Sequence, residues 1–82
     1  MSFSVYIIQS ETTERYYVGH SEDHEARLQR HNNGENISTR YGIPWKSVYV
    51  ETFETRGEAM RRELQIKKRG VERYLRGVAQ PG

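Results

Sequence analysis

With 82 residues the chain has room for one small domain, and 13 Lys and Arg against 11 Asp and Glu leave a formal charge of only +2. It contains no cysteine, which excludes disulfide staples and thiolate metal sites and points to an intracellular, cytoplasmic protein that folds on packing alone. The longest apolar run, Val5 to Ile8, is far too short to cross a membrane, and no basic-then-apolar leader precedes it, so neither a membrane span nor a secretory signal is expected.

In chain order, Phe3 to Gln9 places apolar residues on both parities, Phe3, Val5 and Ile7 on one and Tyr6 and Ile8 on the other. That pattern predicts a strand buried on both faces and therefore central in its sheet. Ser10 to Glu14 turns the chain, and Tyr16-Tyr17-Val18 supplies a short second strand that ends at Gly19. A hairpin closing on Glu11 and Thr12 would set Tyr6 directly opposite Tyr17, with both rings on one face. Ser21, Glu22 or Asp23 can cap a helix over residues 23 to 32, and Asn32-Asn33-Gly34 tolerates the left-handed backbone that ends it. Residues 33 to 45, with Gly34, Gly42 and Pro44, hold no sustained period and read as a long loop. Lys46 to Phe53 alternates as a third strand. Thr55 opens a helix over 56 to 69, with Glu58 placed to complete a capping box, and after Gly70 the stretch Val71 to Arg76 allows one more short helix. The expected fold is α+β in the order β-β-α-β-α-α, a three-stranded sheet flanked by helices, with one domain over residues 1–77 and a loose tail at 78–82. Its core must be thin. Phe, Ile, Leu and Val make up just under a fifth of the chain, so the six tyrosines carry much of the covering.

The charge is unevenly placed. Residues 1–35 carry three basic and six acidic side chains, whereas residues 56–82 carry eight and three. A basic C-terminal segment suits a phosphate backbone, since neutralising phosphates releases condensed counterions, but it equally suits a solvated helix surface. On a helical projection that sets Ala59 at zero, the apolar stripe runs from Ile66 at roughly 340° to Leu64 at roughly 140° through Met60, and Glu63 and Lys67 fall inside it. A carboxylate on that side needs a partner. Either Glu63 pairs with Lys67 at i, i+4 along the rim, or it points into a cleft where a divalent cation or a substrate supplies the missing charge. On the first helix Leu28 is the only large apolar residue, and Arg27 and His31, at i, i+4, share the flank of its inward side. His20, His24 and His31 lack a fourth ligand of plausible spacing, which argues against a zinc site.

Together these residues resemble the GIY-YIG nuclease superfamily over residues 3 to 69. Ser4-Val5-Tyr6 stands where that family has Gly-Ile-Tyr and Tyr17-Val18-Gly19 where it has Tyr-Ile-Gly, with the tyrosines eleven positions apart. Arg27 follows Gly19 by eight residues, His31 follows Arg27 by four, and Glu63 lies on the helix after the third strand. The resemblance implies a DNA endonuclease that uses Mg2+ or Mn2+ and direct attack of water, in repair or recombination. It places phosphate binding on Arg27, the metal on Glu63, and activation of water on Tyr6 or Tyr17 helped by His31. Arg61, Arg62, Lys67, Lys68, Arg69, Arg73 and Arg76 are the expected nucleic-acid footprint. Nothing in the sequence separates DNA from RNA, and a second copy or a protein partner is left to supply specificity. The rival is a nucleic-acid-binding module on the same fold without cleavage, against which the intact set of five residues argues. Two departures stand out: Ser4 replaces the opening glycine, and the Asn that some members carry on a later helix has only Gln80 as its nearest substitute.

Overall fold

The doubly apolar N-terminal stretch becomes the middle strand of the sheet. In the computed structural model, which describes residues 2–79, β1 (Phe3–Ser10) pairs antiparallel with β2 (Tyr16–Ser21) on one side and β3 (Trp45–Phe53) on the other. α1 (His24–Asn32) and a 3-10 helix (Ile37–Gly42) cover one face, and α2 (Arg56–Arg69) and α3 (Val71–Ala79) cover the other. The fold is α+β in the expected element order. Two thin cores result, separated by one strand. Val5 and Ile7 pack with Val18, Ala59 and Ile66 under α2, while Tyr6 and Ile8 pack with Trp45 beside Leu28 and Tyr17 under α1.

The hairpin is longer than a two-residue loop. The Ser10 N–H donates to the Arg15 carbonyl at 2.9 Å, and the register sets Tyr6 opposite Gly19 and Tyr17 opposite Ile8. Ser10 itself explains the difference: its Oγ accepts from the N–H groups of Thr12 and Thr13 at 3.2 and 3.0 Å, and Glu14 completes the turn at a φ of 66°. A shift of two residues keeps every side chain on its face. Tyr6 and Tyr17 therefore still share one, although not as a directly opposed pair.

β2 also continues past Gly19 to Ser21. A Cβ at Gly19 would stand 2.6 Å from Tyr6 Oη and 2.8 Å from Tyr6 Cζ, so the Tyr6 ring occupies the place of the missing side chain. A bulge between Ile7 and Ile8 resets the pairing with β3, so that Ile7 faces Tyr49 but Ile8 faces Ser47. The bulge has a consequence for packing. It lets Trp45, which shares the parity of Tyr49, turn to the opposite face and pack on Tyr6 and Ile8.

The stretch expected as a long loop contains the 3-10 helix, begun by Asn36, whose Oδ1 accepts from the Ser38 N–H at 3.1 Å. Asn32 then clamps Trp45 from both sides, donating to its carbonyl at 3.0 Å and accepting from its N–H at 2.6 Å. Two corrections concern the helices. Met60 and Leu64, expected in the apolar stripe of α2, are 51% and 58% exposed, whereas Ala59 and Ile66 are fully buried. β2 is the edge of the sheet, and among the described residues no strand beyond it covers that flank. The last helix runs on to Ala79, so Val78 and Ala79 are helical rather than tail, because Val71, Tyr74 and Leu75 at i, i+3, i+4 tie it to the core. Residues 80–82 of the expected tail, Gln80 included, lie outside the described residues.

The capping box of α2 forms in both directions, with Thr55 Oγ1 accepting from the Glu58 N–H and Glu58 Oε1 accepting from the Thr55 N–H, each at 3.2 Å. Thr55→Ala is expected to lower the unfolding free energy by about 1 kcal/mol, measured by urea denaturation.

Candidate active site

The face under α1 carries a chain of buried polar groups. Tyr6 Oη lies 3.2 Å from His31 Nε2, and His31 Nδ1 lies 2.7 Å from Thr39 Oγ1. Tyr6, His31 and Thr39 are each 1% exposed, so no solvent relieves an unmade bond. Thr39 Oγ1 also lies 3.3 Å from the Asn36 carbonyl. When the Thr39 proton goes to that carbonyl, Oγ1 accepts from His31 Nδ1–H and Nε2 is left as the acceptor for the Tyr6 hydroxyl. Thr39 is fixed in turn by Trp45, whose Nε1–H donates to the Thr39 carbonyl at 2.8 Å. Neither Thr39 nor Trp45 carries a signal of this role in the sequence, because both act from the irregular segment and its end.

Burial pushes the His31 pKa below 6.5, and the Arg27 guanidinium adds to the effect, so the ring is neutral near neutral pH. Burial also pushes the Tyr6 pKa above 10.0; Arg27 beside it works in the opposite sense, while Tyr17 and the charge of Glu63 add to the rise. Tyr17 stacks tilted against His31 with ring centroids 4.9 Å apart. Of the two tyrosines it is Tyr6 whose hydroxyl is joined to the imidazole.

Arg27 lines a recess of about 420 Å³ with Arg30, His31, Glu35, Asn36 and Ile37. Its Nε is buried and, among the described residues, has no hydrogen-bond partner. A buried guanidinium N–H left unpaired costs stability, and the positive charge of Arg27 on the recess wall would attract an anion.

Glu63 approaches from the other side of the sheet. Val18 and His20 of β2 point toward α2, and His20 Nδ1 meets Glu63 Oε1 at 2.6 Å while Lys67 Nζ meets Oε2 at 2.6 Å. The i, i+4 pair expected along the rim is thus present, with a second partner, His20, whose place beside the carboxylate sequence reasoning missed. Only the hairpin register, which puts His20 opposite Val5, brings it there. Burial raises the Glu63 pKa, but the bonds from Lys67 and His20 outweigh it and hold the carboxyl below 4.5, hence ionised.

The donor set fits a hard divalent cation held through one carboxylate and water. Glu63 is charged and its Lys67 partner is half exposed, a pairing that a cation can displace at small cost. Among the described residues no group of three or more His, Cys, Asp or Glu side chains converges on a metal position, so water and substrate oxygens would fill most of the shell. The three histidines do not converge, since His31 belongs to Tyr6 and Thr39 and His20 to Glu63.

The basic residues divide. Arg61 lies on the Glu63 side, in a recess with His20, Met60 and Leu64. Arg62 is drawn into a network across the sheet, donating to Tyr74 Oη at 3.1 Å beside Glu51, while Tyr49 donates to Glu51 at 2.8 Å. Lys68 and Arg69 line a groove with Tyr74 and Gly77, and Arg69, Arg73 and Arg76 line the next. Lys67 is held by Glu63.

The family description of the GIY-YIG catalytic domain matches residues 2–74, and the chain belongs to that family of nucleases. Nucleases of this family generally use divalent metal ions. Within it the chain is similar to small bacterial UPF0213 proteins. It is 36% identical over 76 residues to one from Staphylococcus aureus strain Mu3, covering 92% of each chain. It is 35% identical over 65 residues to one from Staphylococcus saprophyticus, covering 78% of this chain and 79% of that one. The solution NMR structure of a UPF0213 protein from Bacillus halodurans matches with a TM-score of 0.59 at 28% identity, over 96% of this chain and 84% of that one. No helix among the described residues is long and apolar enough to cross a membrane.

The lowered pKa of His31 makes a stability prediction. Between 6.5 and the lower folded value, the unfolded chain binds the proton and the folded protein does not, so His31 withdraws stability as the pH falls through that window. The melting temperature of the parent should exceed that of His31→Gln at pH 7.5, and the gap should narrow on acidification below pH 6.5. A gap that stays constant or widens in thermal melts would contradict the neutral, buried imidazole.

Proposed function

We propose that the protein is a divalent-metal-dependent endonuclease that hydrolyses DNA phosphodiester bonds by direct attack of water, acting in the cytoplasm on repair or recombination intermediates. The observation that carries this reading is Arg27, whose buried Nε has no partner among the described residues and whose side chain lines one recess with His31, the partner of Tyr6. A phosphate in the recess would lie against the Arg27 guanidinium and against His31, whose Nε2 meets the buried Tyr6 hydroxyl. In this reading Arg27 holds the scissile phosphate and offsets charge building on its oxygens. Tyr6 Oη takes a proton from the attacking water as its own passes to His31 Nε2. Transfer in one motion suits a phenol whose pKa is raised, because no free phenolate has to accumulate. Thr39 keeps the imidazole turned with Nε2 toward Tyr6. Tyr17 packs the ring in place. A divalent cation on Glu63, Mg2+ or Mn2+, would supply positive charge to the phosphate oxygens and the leaving oxygen.

The test is a cleavage panel of single-stranded, duplex, flap, junction and RNA substrates with and without magnesium. Arg27→Ala and Glu63→Gln should each remove most cleavage, whereas His31→Ala should lose on the order of 10²-fold. Glu63→Gln should keep or tighten DNA binding, since a negative charge facing phosphates is gone. A parent protein that binds DNA but cuts none of the panel would leave the binding-module reading, and Glu63→Gln cutting at the parent rate would remove the metal role from that residue.

The basic groove makes a separate prediction. Lys68→Gln with Arg69→Gln should flatten the dependence of log affinity on log salt by roughly 2 without changing the cleavage products. Filter binding at several salt concentrations checks it, and an unchanged slope would return this surface to solvent.

A further inference from the structure

The contact between His20 and Glu63 has no need to exist for charge balance, because Lys67 already faces the second carboxylate oxygen at 2.6 Å. His20 nevertheless brings Nδ1 to 2.6 Å from Oε1, with its side chain 25% exposed and that of Glu63 18% exposed. Cis ligands on a divalent cation with bonds of about 2.1 Å stand roughly 3 Å apart. The two atoms need to part by only a few tenths of an ångström to share one ion in place of one proton. Beside them lies an open recess of about 390 Å³, lined by His20, Gly57, Met60, Arg61, Glu63 and Leu64. At Gly57 nothing beyond the glycine, its chain neighbours and the backbone of its own helix lies within 4 Å of where a Cβ would stand, so water has room beside the recess.

We propose that His20 is a second protein ligand beside Glu63, making a mixed nitrogen and oxygen site that favours manganese over magnesium. The inference rests on the reading of Glu63 as the metal-binding carboxylate. Imidazole nitrogen adds little to the affinity for magnesium, which prefers oxygen, and more for manganese and the later first-row metals. A His20 that only orients the carboxylate through a hydrogen bond would raise the affinity of both ions alike. The two roles therefore differ in a ratio.

The experiment titrates MnCl2 and MgCl2 separately into DNA-free protein by calorimetry at a fixed pH of about 7.5, for the parent, His20→Gln, His24→Gln and Glu63→Gln. It is paired with manganese-induced broadening of the histidine ring resonances by NMR. His20→Gln should weaken manganese by about tenfold or more while magnesium changes little. His24→Gln should leave the ratio at the parent value, and the His20 ring should broaden at lower manganese than the His24 ring. Equal loss for both ions in His20→Gln, or no loss in either, overturns the proposal. The two readings fail differently. If Glu63→Gln loses both ions while His20→Gln keeps the parent ratio, the carboxylate remains the metal ligand and His20 is not one. If Glu63→Gln binds both ions as the parent does, both readings fall. Thermal melts without added metal check that each variant is folded before titration.

Discussion

A buried chain of hydrogen bonds survives only if each member is satisfied, and the Tyr6–His31–Thr39 chain imposes that condition on most of the α1 face. An orphaned group there would cost about 1–3 kcal/mol, a large share of what so small a domain can spare. Thr39 must present its hydroxyl to His31 and its carbonyl to Trp45, which fixes the 3-10 helix. Trp45 reaches that carbonyl only because the bulge in the β1–β3 pairing turns it to the same face. Its ring then lies so close to Gly42 that a Cβ there would stand 2.5 Å from Trp45 Cζ2. One irregularity in a strand thus supports the orientation of an imidazole two elements away.

The proposed site is assembled around an edge strand. Tyr6, Tyr17, Arg27 and His31 belong to one face of the sheet, while Glu63 reaches β2 from the other. Gly19 is what allows the two to sense each other. Tyr6 Oη stands over that residue, and the charge of Glu63 contributes to raising the Tyr6 pKa. A side chain at position 19 would push the phenol away from the edge and from the carboxylate beyond it. The same position in the middle of a wider sheet would be walled by a neighbouring strand. At the edge no further strand flanks β2 among the described residues, although Tyr6 itself is buried there.

Several parts of this arrangement were legible because they rest on local rules. The doubly apolar pattern of Phe3 to Gln9 made β1 central, the Thr55–Glu58 spacing made a capping box, and Arg27 and His31 at i, i+4 turned together toward the sheet. Glu63 in the apolar stripe of α2 correctly announced a carboxylate that needs partners. The partner His20 was not legible, because it follows from a hairpin register that the Ser10 side chain decides through the turn. Met60 and Leu64 misled for a related reason. A helical period shows which residues are apolar, but only the width of the sheet decides how much of that stripe has anything to cover. Thr39 and Asn36 escaped notice because a 3-10 segment has no period to read, and Trp45, at the start of β3, because its Nε1–H is brought to the Thr39 carbonyl by the irregularity in the strand pairing.

The two flanks of α2 divide the electrostatics of the molecule. Lys67, Met60 and Leu64 fall within about 100° on one side of Glu63, while Arg62 and Arg69 fall roughly 100° to 120° on the other. The buried line of Ala59 and Ile66 runs between them. A carboxylate set among free arginines would be neutralised by them and lose its affinity for a cation. Here Arg62 is instead engaged by Tyr74 and Glu51, and Arg69 at the end of α2 lines a separate groove with Arg73 and Arg76 of α3. Among the described residues Lys67 is the lysine or arginine paired with Glu63, and its half-exposed side chain makes that pair weak enough to yield to a divalent ion, while Arg61 lines the same recess without an ion pair to the carboxylate. The division lets one short helix carry a carboxylate for metal and a basic surface for phosphate without either cancelling the other. It also explains why the network of Tyr49, Glu51, Arg62 and Tyr74 belongs to the functional argument although it touches no part of the proposed site. By holding α3 against the sheet, it holds the basic groove on the flank where it leaves Glu63 free.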